Sequence, residues 1–314
     1  EHVTRRSRTP VVGPPTLDWL LAGDPAIRWQ TLRDLTDAGA DVVAAERSRV
    51  AREGWGARLL ELQRDDGQWG DGVGHPVWWT NLYTLIWLRD LGVDPTDEGV
   101  RRAIDRVRHR LTWGEWHGFA PFFAGESEPC INGRVVALGA YFGEPVEGVV
   151  DRLLSEQLDD GGWNCEAERG STRSSFHTTI CVLEGLLAYE RAQASSEAVT
   201  EARRRGQDYI LERFLLRRKS TGELIDADWM TPVFPPLWRY DALRALDHLR
   251  STGNADRRAE DAVTHLRAHR ATDGRWALGR RHEDTLYPDL AGRGGAPNRW
   301  LTLMGCRVHA WWQS

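Results

Sequence analysis

The chain has 314 residues, a formal net charge of −5 and a pI near 6.1, a balance that argues against a nucleic-acid binder, which would present a basic face. Four cysteines in a chain this long do not make a disulfide scaffold, and no apolar run reaches the ~18 residues needed to span a bilayer. Tryptophan is the outlier, with 16 residues against 7 phenylalanines and 6 tyrosines, and such an excess calls for a search for internal period.

The opening stretch EHVTRRSRTPVVGPP lacks the apolar region of a signal peptide. A disordered or extended tail over 1–15, one domain over 16–314 and a cytoplasmic location are the expectation. Along the chain, helices begin at IRWQTLRDL (27–35), WWTNLYTLIWL (78–88), CINGRVVALGAY (130–141), FHTTICVLEGLL (176–187), WRYDALRALDHL (238–249) and RWLTLMGCRV (299–308). Apart from Glu184, the fourth is nearly unbroken in apolar and small residues. Between these segments lie charged stretches such as 96–111 and 255–270, whose apolar residues fall at i, i+3, i+4 and i+7, the mark of a helix buried on one face.

A second marker punctuates the same chain. QRDDGQW (63–69), QLDDGGW (157–163) and RATDGRW (270–276) share the pattern Gln/Arg-x-x-Asp-Gly-x-Trp. RLTWGEW (110–116) reads as a degenerate copy, which would space Trp69, Trp116 and Trp163 evenly, and KSTGEL around Gly222 reads as a weak one. The glycine supplies a chain reversal, and the tryptophan can pack between neighbouring repeats. Six apolar helices alternating with amphipathic ones are satisfied by an inner ring surrounded by an outer ring.

Repeated Q-x-x-D-G-x-W turns between inner and outer helices resemble the α/α-toroid proteins: squalene and oxidosqualene cyclases, other class II terpene cyclases, and the β subunits of protein prenyltransferases. The resemblance implies an all-α fold, an α/α toroid of six inner and about six outer helices, over roughly residue 18 to the end. It implies a greasy central cavity that holds an isoprenoid, with chemistry at the cavity mouth. The length of a single toroid is closer to a prenyltransferase β subunit, which works with a separate α subunit. Class II cyclases carry an Asp-x-Asp-Asp acid motif; the nearest run here is DADW (226–229), which lacks the last aspartate.

The prenyltransferase resemblance implies a Zn²⁺ held by an Asp-x-Cys at one inner-helix start and a histidine at the next. Glu128-Pro129-Cys130 and His177 match, with glutamate for aspartate, and Cys165 is a competing or additional ligand. Thiolate, imidazole and carboxylate suit zinc together, and three ligands leave a position open. The stretch before Cys130, FFAGESE, is acidic where that family is basic. The alternative is that Cys130 is a small buried hydrophobe and His177 a hydrogen-bonded residue at a helix end, with Thr178 or Thr179 helping to cap.

With all six helix starts at one mouth, Arg28, Arg239 and Arg299, each preceding an aromatic (Trp29, Tyr240, Trp300), would converge on a diphosphate; surface pairing with nearby acids is the alternative. Asp226, Asp228 and Asp241 are the candidate catalytic carboxylates. Asp241, at a helix start beside Arg239, is expected to stay ionised and to stabilise a cation. Asp226 and Asp228 lie in a long loop (219–236) that would cover the cavity or bind Mg²⁺ with a diphosphate. Trp78, Trp79, Tyr83, Trp87, Phe176, Trp238 and Trp300 are candidates for the cavity wall, some of them being plain core.

Three functions follow as expectations. The first is an isoprenoid-handling enzyme, prenyltransferase-like or small-terpene-cyclase-like. The second is a non-catalytic toroid that binds a hydrophobic small molecule or a partner protein, and the third a zinc-dependent enzyme with an unrelated substrate. Metal content and diphosphate binding distinguish them.

Overall fold

Each of the three turn motifs folds into the same hydrogen-bonded unit in the computed structural model, which describes residues 12–70, 72–193, 196–253 and 255–313. Gly67, Gly161 and Gly274 have φ of 85°, 97° and 85°, the left-handed region that favours glycine. Trp69, Trp163 and Trp276 are fully enclosed, and each indole N–H donates to the carbonyl ten residues earlier, of Leu59, Leu153 and Leu266. Each tryptophan backbone N–H donates to a polar side chain of the following apolar helix: Asn81, Thr179 and Thr302. The glutamines explain their own recurrence. Gln63 and Gln157 each donate to the glycine carbonyl of the turn and to a carbonyl of the next amphipathic helix, Ala103 or Ala202.

The copy at 110–116 departs from this pattern. Trp113 is the enclosed residue, its indole donating to the Phe122 carbonyl, whereas Trp116 is 55% exposed. The even spacing through Trp116 is therefore not structural. Around Gly222 the chain turns with positive φ but carries Leu224 where the others carry tryptophan.

The helices are α1 (Pro14–Leu21), α2 (Pro25–Leu35), α3 (Ala40–Ser48), α4 (Gly54–Glu61), α5 (Val77–Leu91), α6 (Glu98–Arg110), α7 (Pro129–Phe142), α8 (Glu147–Ser155), α9 (Phe176–Ala192), α10 (Glu197–Leu211), α11 (Ala242–Thr252), α12 (Glu260–Ala268), α13 (Pro288–Ala291) and α14 (Arg299–Trp312). The fold is all-α, an α/α toroid. The inner ring is α2, α5, α7, α9, α11 and α14, with α5 on α7, α7 on α9, α9 on α11, α11 on α14 and α14 on α2. The Trp29 indole and the Gln30 amide of α2 donate to the Leu91 and Asp90 carbonyls of α5. Arg307 of α14 donates to Gln30 and pairs with Asp34 of α2, so the two ends of the chain meet.

The outer helices are amphipathic, as read. In α6 the buried residues are Val100, Ala103, Ile104 and Val107, and Asp97 caps the helix by accepting from Gly99 N. The tightest inner contact joins α7 and α9, where a Cβ at Gly185 would lie 2.3 Å from the Gly133 carbonyl oxygen and one at Gly133 would lie 2.5 Å from that of Cys181. Only glycine permits this approach.

Two boundaries differ from the sequence reading. The expected tail of 1–15 lies outside the described residues as far as 11, and α1 already begins at Pro14. The fifth inner helix starts at Ala242 rather than near 238, because Asp241 serves as its N-cap, and Trp238, Arg239 and Tyr240 sit in the loop before it. No helix among the described residues is long and apolar enough to cross a membrane.

Candidate ligand cavity

Outer segments return the chain between successive inner helices (α3 and α4 after α2, α6, α8 and α10 singly, α12 and α13 after α11), so the inner ones share an N-terminal and a C-terminal end. The N-terminal end is closed. Residues 229–239 fold across it, with Phe234 stacked on Trp300 at 5.2 Å and set edge-on to Trp87 at 5.2 Å. This plug is pinned from beneath, as the guanidinium of Arg134 donates to the Leu237 carbonyl and that of Arg244 to the Arg239 carbonyl.

Below the plug lies a central cavity of about 540 Å³, within the range of about 300–1,000 Å³ usual for small-molecule sites. Its upper wall is apolar: Tyr83, Ile86, Trp87, Phe234, Leu237 and Trp300. Near its middle, Glu184 of α9 accepts from Arg134 of α7 and Arg244 of α11. Burial pushes the Glu184 carboxyl up, but Arg244 and Arg134 together outweigh it and hold the group below the usual range. Asp90 pairs with Arg89 and Asp247 with Arg250. At the C-terminal end the lining passes to Ala188, Arg191, Ala192 and Ser251, which are partly exposed or exposed. The cavity therefore opens there, opposite to the mouth expected from the helix starts.

A second cavity, of about 1,000 Å³, lies on the other side of the plug and is polar. It gathers many residues singled out from the sequence: His177, Asp226, Asp228, Trp238, Arg239, Tyr240 and Asp241. Their partners are specific. His177 Nδ1 accepts from Tyr240 N at 2.8 Å, and burial, with Arg244 and Arg239 adding, pushes its pKa down to about 4. Ser175, not His177 or a threonine, caps α9. Asp226 caps a short 3₁₀ turn by accepting from Asp228 N, and Asp228 pairs with Arg280 at 2.6 Å. Among the described residues neither aspartate belongs to a three-donor metal cluster. Burial raises the Asp241 pKa to about 6 against the opposing N–H of Arg244, so the carboxyl titrates just below neutral pH.

Each of the three rim arginines has a local partner. Arg28 pairs with Glu46 at 2.6 Å, Arg239 forms a two-toothed pair with Asp284, and Arg299 donates to the Trp19 carbonyl. Of the aromatic candidates, Tyr83, Trp87 and Trp300 line the central cavity. Trp29 is packed beneath Arg33 and Arg47, Trp78 and Trp79 cluster with Trp113 and Tyr83, and Phe176 packs on Tyr209, Trp229 and Tyr240.

Glu128, Cys130 and Cys165 bring one donor atom each within 4.8 Å of one another, and among the described residues no fourth ligand joins them. His177 is outside this group. A hydrogen bond from Cys130 to Cys165, with burial, holds the Cys130 thiol well above its usual range and pulls that of Cys165 down. Two sulfurs and a carboxylate are donors that zinc accepts, and three ligands leave one position open.

The cavity residues Arg134, Arg244, His248 and Arg307 were not singled out by sequence reading. A signal was present for Arg134, a charge inside the mostly apolar run INGRVVALGAY, as Glu184 is in its own helix. No family model and no curated protein matches the chain. Among solved structures it is similar to a protein from Actinoplanes, at 16% identity and a TM-score of 0.46, over 92% of this chain and 89% of that one. It is also similar to the type II terpene cyclase MstE from Scytonema, at 15% identity and a TM-score of 0.45, over 91% and 86%. A variant of MstE in complex with geranylgeranyl dihydroxybenzoate matches at 16% and 0.46, over 92% and 86%.

Proposed function

We propose that this protein binds an isoprenoid-type molecule in the central cavity, entering from the C-terminal end of the inner helices. The observation that carries the reading is the enclosed aromatic and aliphatic wall of Tyr83, Ile86, Trp87, Phe234 and Trp300 at the closed end of a cavity of about 540 Å³. A branched, unsaturated hydrocarbon buries its surface there against four aromatic side chains. The carboxylates on that wall are ion-paired, and Glu184 is held ionised by two arginines. Such groups stabilise a cation better than they donate a proton, so an enzyme built on this cavity would not start by protonating an alkene.

The test is a fluorescence titration with an isoprenoid alcohol. Ala188→Trp at the open end of the cavity is expected to weaken binding by tenfold or more, a loss of about 1.4 kcal/mol. Asp228→Asn in the second cavity is expected to leave it unchanged. The opposite pattern would move the site to the N-terminal side of the plug.

A zinc-dependent reaction is the second reading, favoured by the convergence of Glu128, Cys130 and Cys165. These three residues would hold the ion, which would supply Lewis acidity at its open position. Protein purified without chelator is expected to carry about one equivalent of zinc by mass spectrometry. Cys130→Ala and Cys165→Ala lose it and His177→Ala keeps it; metal-free, well-folded wild type would remove this reading.

A further inference from the structure

We propose that the central cavity recognises a ligand whose apolar body ends in a singly charged oxygen head, a carboxylate being the simplest. The proposal rests on the reading of this cavity as the isoprenoid site and adds the chemistry of the ligand's polar end.

The first observation is charge. Two buried guanidiniums, Arg134 and Arg244, share one carboxylate, Glu184, which leaves a net charge of +1 on the wall of an otherwise greasy cavity. Of the neighbouring arginines, Arg89 pairs with Asp90 and Arg250 with Asp247, while Arg307 shares Asp34 with the half-exposed Arg33. Arg191, at the solvent end, donates to the Ser251 carbonyl and adds positive charge at the entrance. A buried charge without a counter-charge is expensive unless a partner arrives.

The second observation is independent of the first. Trp87 Nε1, Arg134 Nε, His248 Nε2 and Arg307 Nε are buried nitrogens without a hydrogen-bond partner, and all four residues line this one cavity. Three of them are obligate donors, and a neutral imidazole offers an N–H by tautomer. Orphaned buried donors are rare in folded proteins and call for an explanation. Unpartnered donors on four residues that line one cavity, beside two guanidiniums that share one carboxylate, are the complement of an anionic oxygen cluster. The aromatic wall nearer the plug takes the hydrocarbon.

The experiment compares three probes with the same fifteen-carbon isoprenoid chain and different heads (alcohol, carboxylate, diphosphate) on the full-length wild-type protein, by quenching of tryptophan fluorescence. The carboxylate is expected to bind at least about tenfold more tightly than the alcohol, about 1.4 kcal/mol, and no less tightly than the diphosphate. Glu184→Gln, checked for folding by circular dichroism, is expected to tighten the carboxylate relative to the alcohol. Equal affinity for carboxylate and alcohol would overturn the anionic head while leaving the isoprenoid reading standing. Tighter binding of the diphosphate would overturn the single charge. Failure of all three to bind would overturn the isoprenoid reading itself and this inference with it.

Discussion

Replacing Glu184 with alanine is expected to destabilise the protein by about 3–5 kcal/mol, the usual cost of removing one partner from a buried ion pair. The carboxylate lies between two guanidiniums that are 4% and 3% exposed. Without it Arg134 and Arg244 face each other as like charges, with no other acid paired to either of them among the described residues. The damage reaches the plug, because the same two arginines donate to the Leu237 and Arg239 carbonyls. Urea unfolding followed by circular dichroism measures the loss as a shift in midpoint at constant slope. A loss below about 1 kcal/mol, typical of an exposed pair, would mean that the arginines are hydrated through the cavity.

The second large effect is a dependence on pH. Burial pushes the His248 pKa from 6.5 down to about 4, so the folded protein holds this imidazole neutral where the unfolded chain binds a proton. Between those two values the unfolded state carries more protons, and stability therefore rises with pH. The stabilisation is fully present above about pH 6.5 and is lost as pH falls towards 4; the gap corresponds to about 3 kcal/mol. Asp241, with its pKa raised to about 6, works in the opposite direction, so the clean quantity is the difference between wild type and His248→Gln. That difference is expected to shrink by about 3 kcal/mol from pH 7 to pH 4. A constant difference would show that His248 protonates in place.

The ring was legible because its repeating contacts are local and each needs one residue type. The turn needs glycine at positive φ, the tryptophan reaches back ten residues to a carbonyl, and the glutamine joins two amphipathic helices. Where the chain used another solution, as with Trp113 in place of Trp116, pattern alone gave the wrong residue. The site was harder to read. Placing His177, Asp241 and Arg239 at one end of the ring was sound, and they do share a cavity. What the pattern could not reveal is that 229–239, a loop without periodicity, folds across that end and divides it from the central cavity. The rim arginines then find partners close by, while Arg134, Arg244 and Arg307 meet only through the closed ring. A single charge in an apolar helix signals burial with a partner, but the partner's identity depends on the tertiary fold.

The central claim is that the ligand lies beneath the plug. The most direct measurement is a crystal structure of the protein soaked with the fifteen-carbon isoprenoid alcohol. The hydrocarbon is expected between Trp87, Phe234 and Trp300, with its hydroxyl towards Arg134 and Glu184. Density beside His177 and Trp238 instead, with the central cavity empty of ligand, would contradict the account and return the site to the N-terminal end of the ring.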